Sequence, residues 1–329
     1  MIKILSIDGG GIRGIIPAIV LAEIEKRTGR PVAGLFDLVA GTSTGGILAI
    51  GLTVARSPST PPYTAAQLIE LYEHQGAHMF SRPLFHRLAA CGNLRRGKYA
   101  TSGIEQILSD YFGEARLRDA VTDLLIPSYE IERSFPFFFR SAMARRRQDY
   151  DFLAREVARA TSAAPTYFAP LKISADGSAD HYTLIDGGVF ANNPAACALV
   201  EARTTYADAR DFLIVSLGTG ELNRCLPYDQ AKTWGAVRWA MPVLEVVFDG
   251  VSRTVDYQLR QLMPDALGRS QRYYRFQTPL DRLNQRLDNT SLRNITALKA
   301  LAHNLVQRES AALDRLCNQL LTPVLDGHA

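Results

Sequence analysis

The sequence predicts an α/β fold, a mostly parallel central sheet flanked by helices, with a mainly helical C-terminal extension. Apolar runs of strand length alternate with helix-patterned segments through the first two thirds of the chain, as expected of a sheet covered on both faces. From Leu226 onward the periodicity turns mainly helical. With 329 residues the chain can bury a substantial core. We divide it into a core over 1–222 and an extension over 223–329 packed on that core, with no firm boundary.

Lys3 to Ile7 reads as the first strand and runs straight into Gly9, Gly10 and Gly11. Arg13 to Arg27 follows with helical spacing, Ile16, Ile19, Val20 and Ile24 falling on one side. Phe36 to Ala40 reads as a buried strand, and Ile47 to Val54 continues as an apolar helix. Ser102-Gly103-Ile104-Glu105 has the pattern of a capping box opening a helix through Tyr111. Leu124 to Ile131, Pro136 to Ser141, His181 to Ile185 and Phe212 to Leu217 are the further strands. In the extension Thr290 to Leu321 has the strongest helical period, and Arg272 to Gln277 is an aromatic, strand-like interruption.

Composition excludes several classes. No run reaches the length of about 18 apolar residues that a membrane span needs, and Met1 leads into the first strand rather than a signal peptide. Cys91, Cys197, Cys225 and Cys317 are scattered without metal-type spacing and read as reduced thiols of a cytoplasmic protein. Neither a metal nor a cofactor is expected. There are no internal repeats or low-complexity tracts.

Three short motifs carry chemistry. Gly41-Thr42-Ser43-Thr44-Gly45 has the G-x-S-x-G spacing, in which a tight strand-to-helix turn projects a serine hydroxyl clear of the main chain. Ser43 is the candidate nucleophile; small residues that let a helix pack closely on a sheet would give the same pattern. The Asp8–Gly14 loop, DGGGIRG, includes Gly9, Gly10, Gly11, Arg13 and Gly14 and leaves backbone N–H groups open to an anion at a helix start. That anion is a phosphate or the oxyanion of acyl transfer. A dinucleotide fingerprint would want an acid at the end of the second strand. Asp37 instead precedes the apolar run, which ends in the serine turn, so the oxyanion fits better. The third motif is Asp186-Gly187-Gly188 after a strand. It is either a turn former or a carboxylate base for a serine that needs one.

These motifs, in this order, resemble those of the patatin-like phospholipases, a family of Ser-Asp dyad acyl hydrolases. The likeness extends to Ala160–Phe168, to Val189 and Asn192-Asn193-Pro194 after the Asp motif, and to Ser216–Gly220, covering roughly residues 2 to 220. It implies Ser43 as nucleophile, Asp186 as base and the Gly9–Gly11 amides as oxyanion hole, with the Thr44 N–H adding to it. It also implies hydrolysis of carboxylic esters of membrane lipids. Two rival readings are a Ser-Asp-His triad drawing on His303 or His328, and a non-catalytic nucleotide- or lipid-binding protein.

Residues 82–147 carry a basic surplus, with clusters at Arg95-Arg96-Gly97-Lys98 and at Arg145-Arg146-Arg147. Beside them lie Met79, Phe80, Leu84, Phe85 and Leu88, a combination that suits docking on an anionic bilayer at the inner membrane face. A solvated loop and a hairpin turn would read the same way. No nucleic-acid-binding motif accompanies the charge. Trp234–Trp239, Val251–Leu259 and Tyr273–Phe276 resemble the C-terminal part of bacterial patatin-like enzymes that include effectors of cyclic-oligonucleotide antiphage defence. That implies a cyclic dinucleotide activator; by their chemistry Arg238, Arg253 and Arg275 suit gripping its phosphates and Trp239 or Tyr273 stacking on a base, while an ordinary helical layer with surface arginines would read the same way. Lipid headgroup, acyl position and homo-oligomer formation are left open.

Overall fold

The computed structural model describes residues 1–57, 59–81, 97–175, 180–222, 226–264, 271–281, 284 and 286–322. Its strands are β1 (Ile2–Ile7), β2 (Leu38–Gly41), β3 (Asp123–Glu130), β4 (Phe135–Arg140), β5 (Leu171–Ile173), β6 (Tyr182–Asp186), β7 (Phe212–Leu217), β8 (Glu221–Leu222), β9 (Tyr273–Phe276) and β10 (Pro279–Leu280). One sheet runs β5-β6-β3-β2-β1-β7-β9, with β4 also on β3, and β8 pairs separately with β10. The five strands β3, β2, β1, β7 and β9 are mutually parallel. Antiparallel β4, β6 and β5 finish one side.

The central strands are mainly apolar because both faces are covered. Alternate side chains of β1, β2 and β7 enter opposite cores: Leu5, Val39 and Val215 on one face, Ile4, Leu38 and Ile214 on the other. On the first face, α1 (Ile15–Thr28) packs against α3 (Ala65–Met79) and two later helices, α11 (Leu292–Arg308) and α12 (Ser310–Leu321). On the second, α8 (Ala195–Thr205) presents Ala195, Ala198 and Ala202, small enough to bring its backbone close to the sheet. The remaining helices are α2 (Thr44–Thr53), α4 (Thr101–Phe112), α5 (Ser141–Ala144), α6 (Ala154–Thr161), α7 (Gly188–Ala191), α9 (Tyr228–Ala231) and α10 (Ala236–Leu262).

Several local expectations are corrected. Ser102 caps nothing: α4 begins at Thr101, with Ala100 at the cap and no side-chain hydrogen bond there. A capping box does open α3, where Thr64 Oγ1 accepts from the Gln67 N–H and Gln67 Oε1 accepts from the Thr64 N–H. The 290–321 segment is two helices, broken at Glu309. The aromatic stretch at 272–277 is more than an interruption, since β9 joins the central sheet beside β7, with Arg275 opposite Ser216. Among the described residues no helix is long and apolar enough to cross a membrane. Cys197 and Cys317 are free thiols, whereas Cys91 and Cys225 lie outside the described residues.

Candidate active site

The parallel strands deliver three segments to one end of the sheet. β2 ends at Gly41, and the chain turns through Thr42 and Ser43 into α2. Ser43 has φ 55 and ψ −123, a conformation costly for any residue with a Cβ and held only when its surroundings enforce it. They do so by hydrogen bonds. The Thr42 N–H donates to Ile7 O at 3.1 Å, Thr42 Oγ1 donates to Ala191 O at 2.6 Å, and the Ser43 N–H donates to Thr161 Oγ1 at 3.0 Å. Thr161 is itself fixed by donating to Pro127 O at 2.7 Å.

Gly45 allows the turn to press on β1, since a methyl there would lie 2.2 Å from Ile7 O. Backbone cannot yield as a flexible side chain can. Gly45→Ala is therefore expected to destabilise the fold by about 1–3 kcal/mol, read as a lower urea midpoint; an unchanged midpoint would mean that the turn has slack.

Asp186 ends β6 opposite Ser128 and is 1% exposed. Its N–H donates to Ala163 O at 3.1 Å, and its Oδ1 accepts from the Gly188 N–H at 2.7 Å, so Gly187 and Gly188 curl back over the carboxylate. Oδ2 is buried without a closed hydrogen bond of its own. Burial pushes the Asp186 pKa from 3.8 up to about 7, against the opposing pull of the Gly188 N–H and then of the Ser43 hydroxyl.

The glycine loop is fastened on several sides. The Asp8 N–H donates to Leu217 O at 2.9 Å, the Gly9 N–H donates to Asn192 O at 2.9 Å, and Gly9 O accepts from Thr219 Oγ1 at 2.7 Å. Arg13, buried, donates from Nε to Gly10 O at 3.1 Å, and Gly14 leads into α1. Gly9 therefore differs from the expectation for the loop, because its N–H is already used. The Gly10 and Gly11 N–H groups make no hydrogen bond within the described residues, nor does that of Thr44 at the start of α2. Gly11, at φ 58, supplies the left-handed turn that the loop requires.

An apolar cavity of about 40 Å³ opens beside Ser43, Asp186, Gly10 and Gly11, walled by Ile47, Phe80, Ile104, Phe168, Phe248 and Leu287. Phe248 and Leu287 also bound a polar cavity of about 230 Å³, lined by Asn192, Asp249, Arg253, Arg275 and Gln277.

Other expected groups are placed elsewhere. Asp123 pairs with Leu38 at the start of β2, and Ser43 lies beyond the far end of that strand. Arg145 donates to Ala120 O at 3.0 Å and pairs with Asp123, so Arg145, Arg146 and Arg147 sit at the opposite end of the sheet from Ser43. Arg147 is paired with Asp149 at 2.6 Å. Met79 is buried and Phe80 packs on Tyr99 and Phe168, which directs both inward rather than toward a bilayer. Arg95, Arg96, Leu84, Phe85 and Leu88 lie outside the described residues.

The expected phosphate grip comes together in part: Arg253 and Arg275 both line the polar cavity. The Arg275 side chain is buried against Asp8, and Tyr273 is buried with its hydroxyl donating to Asp256 at 2.9 Å. Trp239 packs edge-on against Trp234. Arg238 is exposed on α10, as is Arg253, which pairs with Asp249 at 2.7 Å. His303 is exposed on α11 without a bond to Ser43 or Asp186, and His328 lies outside the described residues. Thr161, Thr219 and Asn192 lie in segments that the family likeness marked, but their part as supports of the site was missed, because each acts across more than a hundred residues.

A family model described as Patatin-like phospholipase matches residues 5–199. The chain belongs to the patatin-like phospholipase family. Among its relatives, Patatin-like protein 2 of Arabidopsis thaliana is 30% identical over 100% of this chain and 89% of its own length. Probable inactive patatin-3-Kuras 1 of Solanum tuberosum is 29% identical over 94% of this chain and 87% of its own. Patatin-04/09 of Solanum tuberosum is 27% identical over 94% of this chain and 84% of its own. All three alignments run well past residue 199, so the helical C-terminal part is shared with these plant patatins.

Proposed function

We propose that this patatin-like chain hydrolyses carboxylic esters of membrane lipids, as a phospholipase A or lysophospholipase, through a Ser43-Asp186 dyad. Family membership supports lipid acyl hydrolysis in general. Likeness alone does not carry activity, one relative being named probable inactive. The observation that carries the reading is Ser43 on a strained turn beside a buried carboxylate, lining one cavity with Gly10 and Gly11, whose N–H groups make no hydrogen bond among the described residues.

Asp186 takes the Ser43 proton as Oγ attacks the ester carbonyl, and the negative oxygen is held by the Gly10, Gly11 and Thr44 N–H groups. Collapse breaks the ester C–O bond, and the proton on Asp186 passes to the departing alcohol. Water then attacks the acyl-serine, giving its proton to Asp186. The second collapse returns that proton to Ser43 and releases the fatty acid. The apolar cavity takes the start of the acyl chain. A cyclic dinucleotide activator, on this arrangement, would meet Arg253 and Arg275 in the polar cavity, with Arg238 exposed on α10 outside its lining.

Vesicles of phosphatidylcholine with a labelled acyl chain test the reaction class. Free labelled fatty acid and lysolipid are expected. Release of phosphocholine without fatty acid, or stoichiometric lipid binding without turnover, would overturn it, the latter in favour of a binding protein.

A further inference from the structure

The residue that opens the glycine motif places a negative charge where the proposed chemistry tolerates it least. Asp8 is 2% exposed and directly precedes the loop bearing the Gly10 and Gly11 N–H groups, which make no hydrogen bond among the described residues. A buried carboxylate left unpaired there would oppose the oxyanion that those groups are to hold. It is not left unpaired. Arg275, its side chain 6% exposed and brought alongside by β9, donates from Nη1 to Asp8 Oδ1 at 2.9 Å and from Nη2 to Oδ2 at 2.6 Å.

Arg275 is aimed as well as paired. Its Nη1 also donates to Ser216 Oγ at 2.8 Å, on the strand whose last carbonyl receives the Asp8 N–H. A two-pronged guanidinium–carboxylate contact fixes the plane of the carboxylate, which a single ammonium contact cannot do. With Thr219 holding Gly9 O and Arg13 holding Gly10 O, the loop between Asp8 and Gly11 has little freedom left.

We propose that Arg275 is a positioning residue for ester hydrolysis: it cancels the charge of Asp8 and fixes the loop so that the Gly10 and Gly11 N–H groups face the forming oxyanion. This rests on the hydrolytic reading above. It assigns a role in the reaction to the segment beyond residue 199, through an ion pair joining β9 to the loop that follows β1.

The test uses the full chain, a soluble p-nitrophenyl ester and a trifluoromethyl ketone, whose adduct with serine carries an oxyanion. In Arg275→Met, kcat should fall by about 10²-fold with KM nearly unchanged, as for the loss of oxyanion stabilisation. Ketone affinity should fall in parallel. The double variant Asp8→Asn with Arg275→Met removes both charges and should recover about tenfold or more of the lost kcat.

A contact that only fastened β9 would give the opposite pattern, with the double variant no better than the single. That result, or a folded Arg275→Met with wild-type kcat, overturns the proposal. Should Arg275→Met not fold, Arg275→Lys decides. It keeps the charge but loses the second prong, so kcat should fall about tenfold at constant KM, and wild-type kcat would count against positioning. If the wild type itself hydrolyses no ester and binds no ketone, the hydrolytic reading has failed instead.

Discussion

Ser43→Ala is expected to reduce ester hydrolysis by about 10⁴-fold or more, to what binding and the anion-holding loop supply without a nucleophile. The fold should survive, because alanine takes the serine's place with fewer atoms and the turn is held by Thr42, Thr161 and the main chain rather than by the hydroxyl. A fluorophosphonate should label Ser43 in the wild type and nothing in the variant; a label on another serine, or retained activity, would remove the assignment. The backbone supplies a second reading of the same site. At φ 55 and ψ −123 any Cβ is strained, by about 1–3 kcal/mol. Ser43→Gly should therefore be equally inactive yet more stable than Ser43→Ala. If the two unfold at the same urea concentration, the turn stores no strain.

The parts of this site that follow from neighbours in sequence were legible, and those that depend on distant partners were not. Both faces of the central sheet are covered, so β1, β2 and β7 announce themselves as apolar runs. The serine turn is legible because a strand, two glycines and an apolar helix must follow one another to make it. Arg275 is not, because its reason for being there is a carboxylate 267 residues away; in isolation Tyr-Tyr-Arg-Phe shows only a strand with one charge. Gly9 fails for a related reason. A glycine loop shows that amides are unobstructed, not that Asn192 O has already taken one of them. The arginine run at 145–147 shows the same limit: basic residues can be counted from sequence, whereas the end of the sheet they occupy is set by the direction of β3.

Asp186→Asn should lower activity by several orders of magnitude, about 10³-fold or more, since it removes the basic oxygen while keeping an acceptor for the Gly188 N–H. His303→Gln should leave activity near wild type, because His303 is exposed on α11 away from the site; a collapse matching that of Asp186→Asn would favour a triad. The pH profile follows from burial. Asp186 must be ionised to accept the serine proton, and its pKa stands near 7, so kcat/KM should rise with pH and level off above that value. A limb near the ordinary carboxylate value of 3.8 would mean a different base. Stability should run the other way. A carboxyl whose pKa is raised in the fold is buried most cheaply when protonated, so its favourable share is complete below the unfolded value and is lost as the pH climbs from 3.8 to about 7. Asparagine cannot ionise and escapes that loss. At about pH 8 the inactive Asp186→Asn protein should be more stable than wild type by on the order of a few kcal/mol, with the difference closing near about pH 4. Equal urea midpoints at both pH values would mean that water reaches the carboxylate and that burial is not what tunes the base.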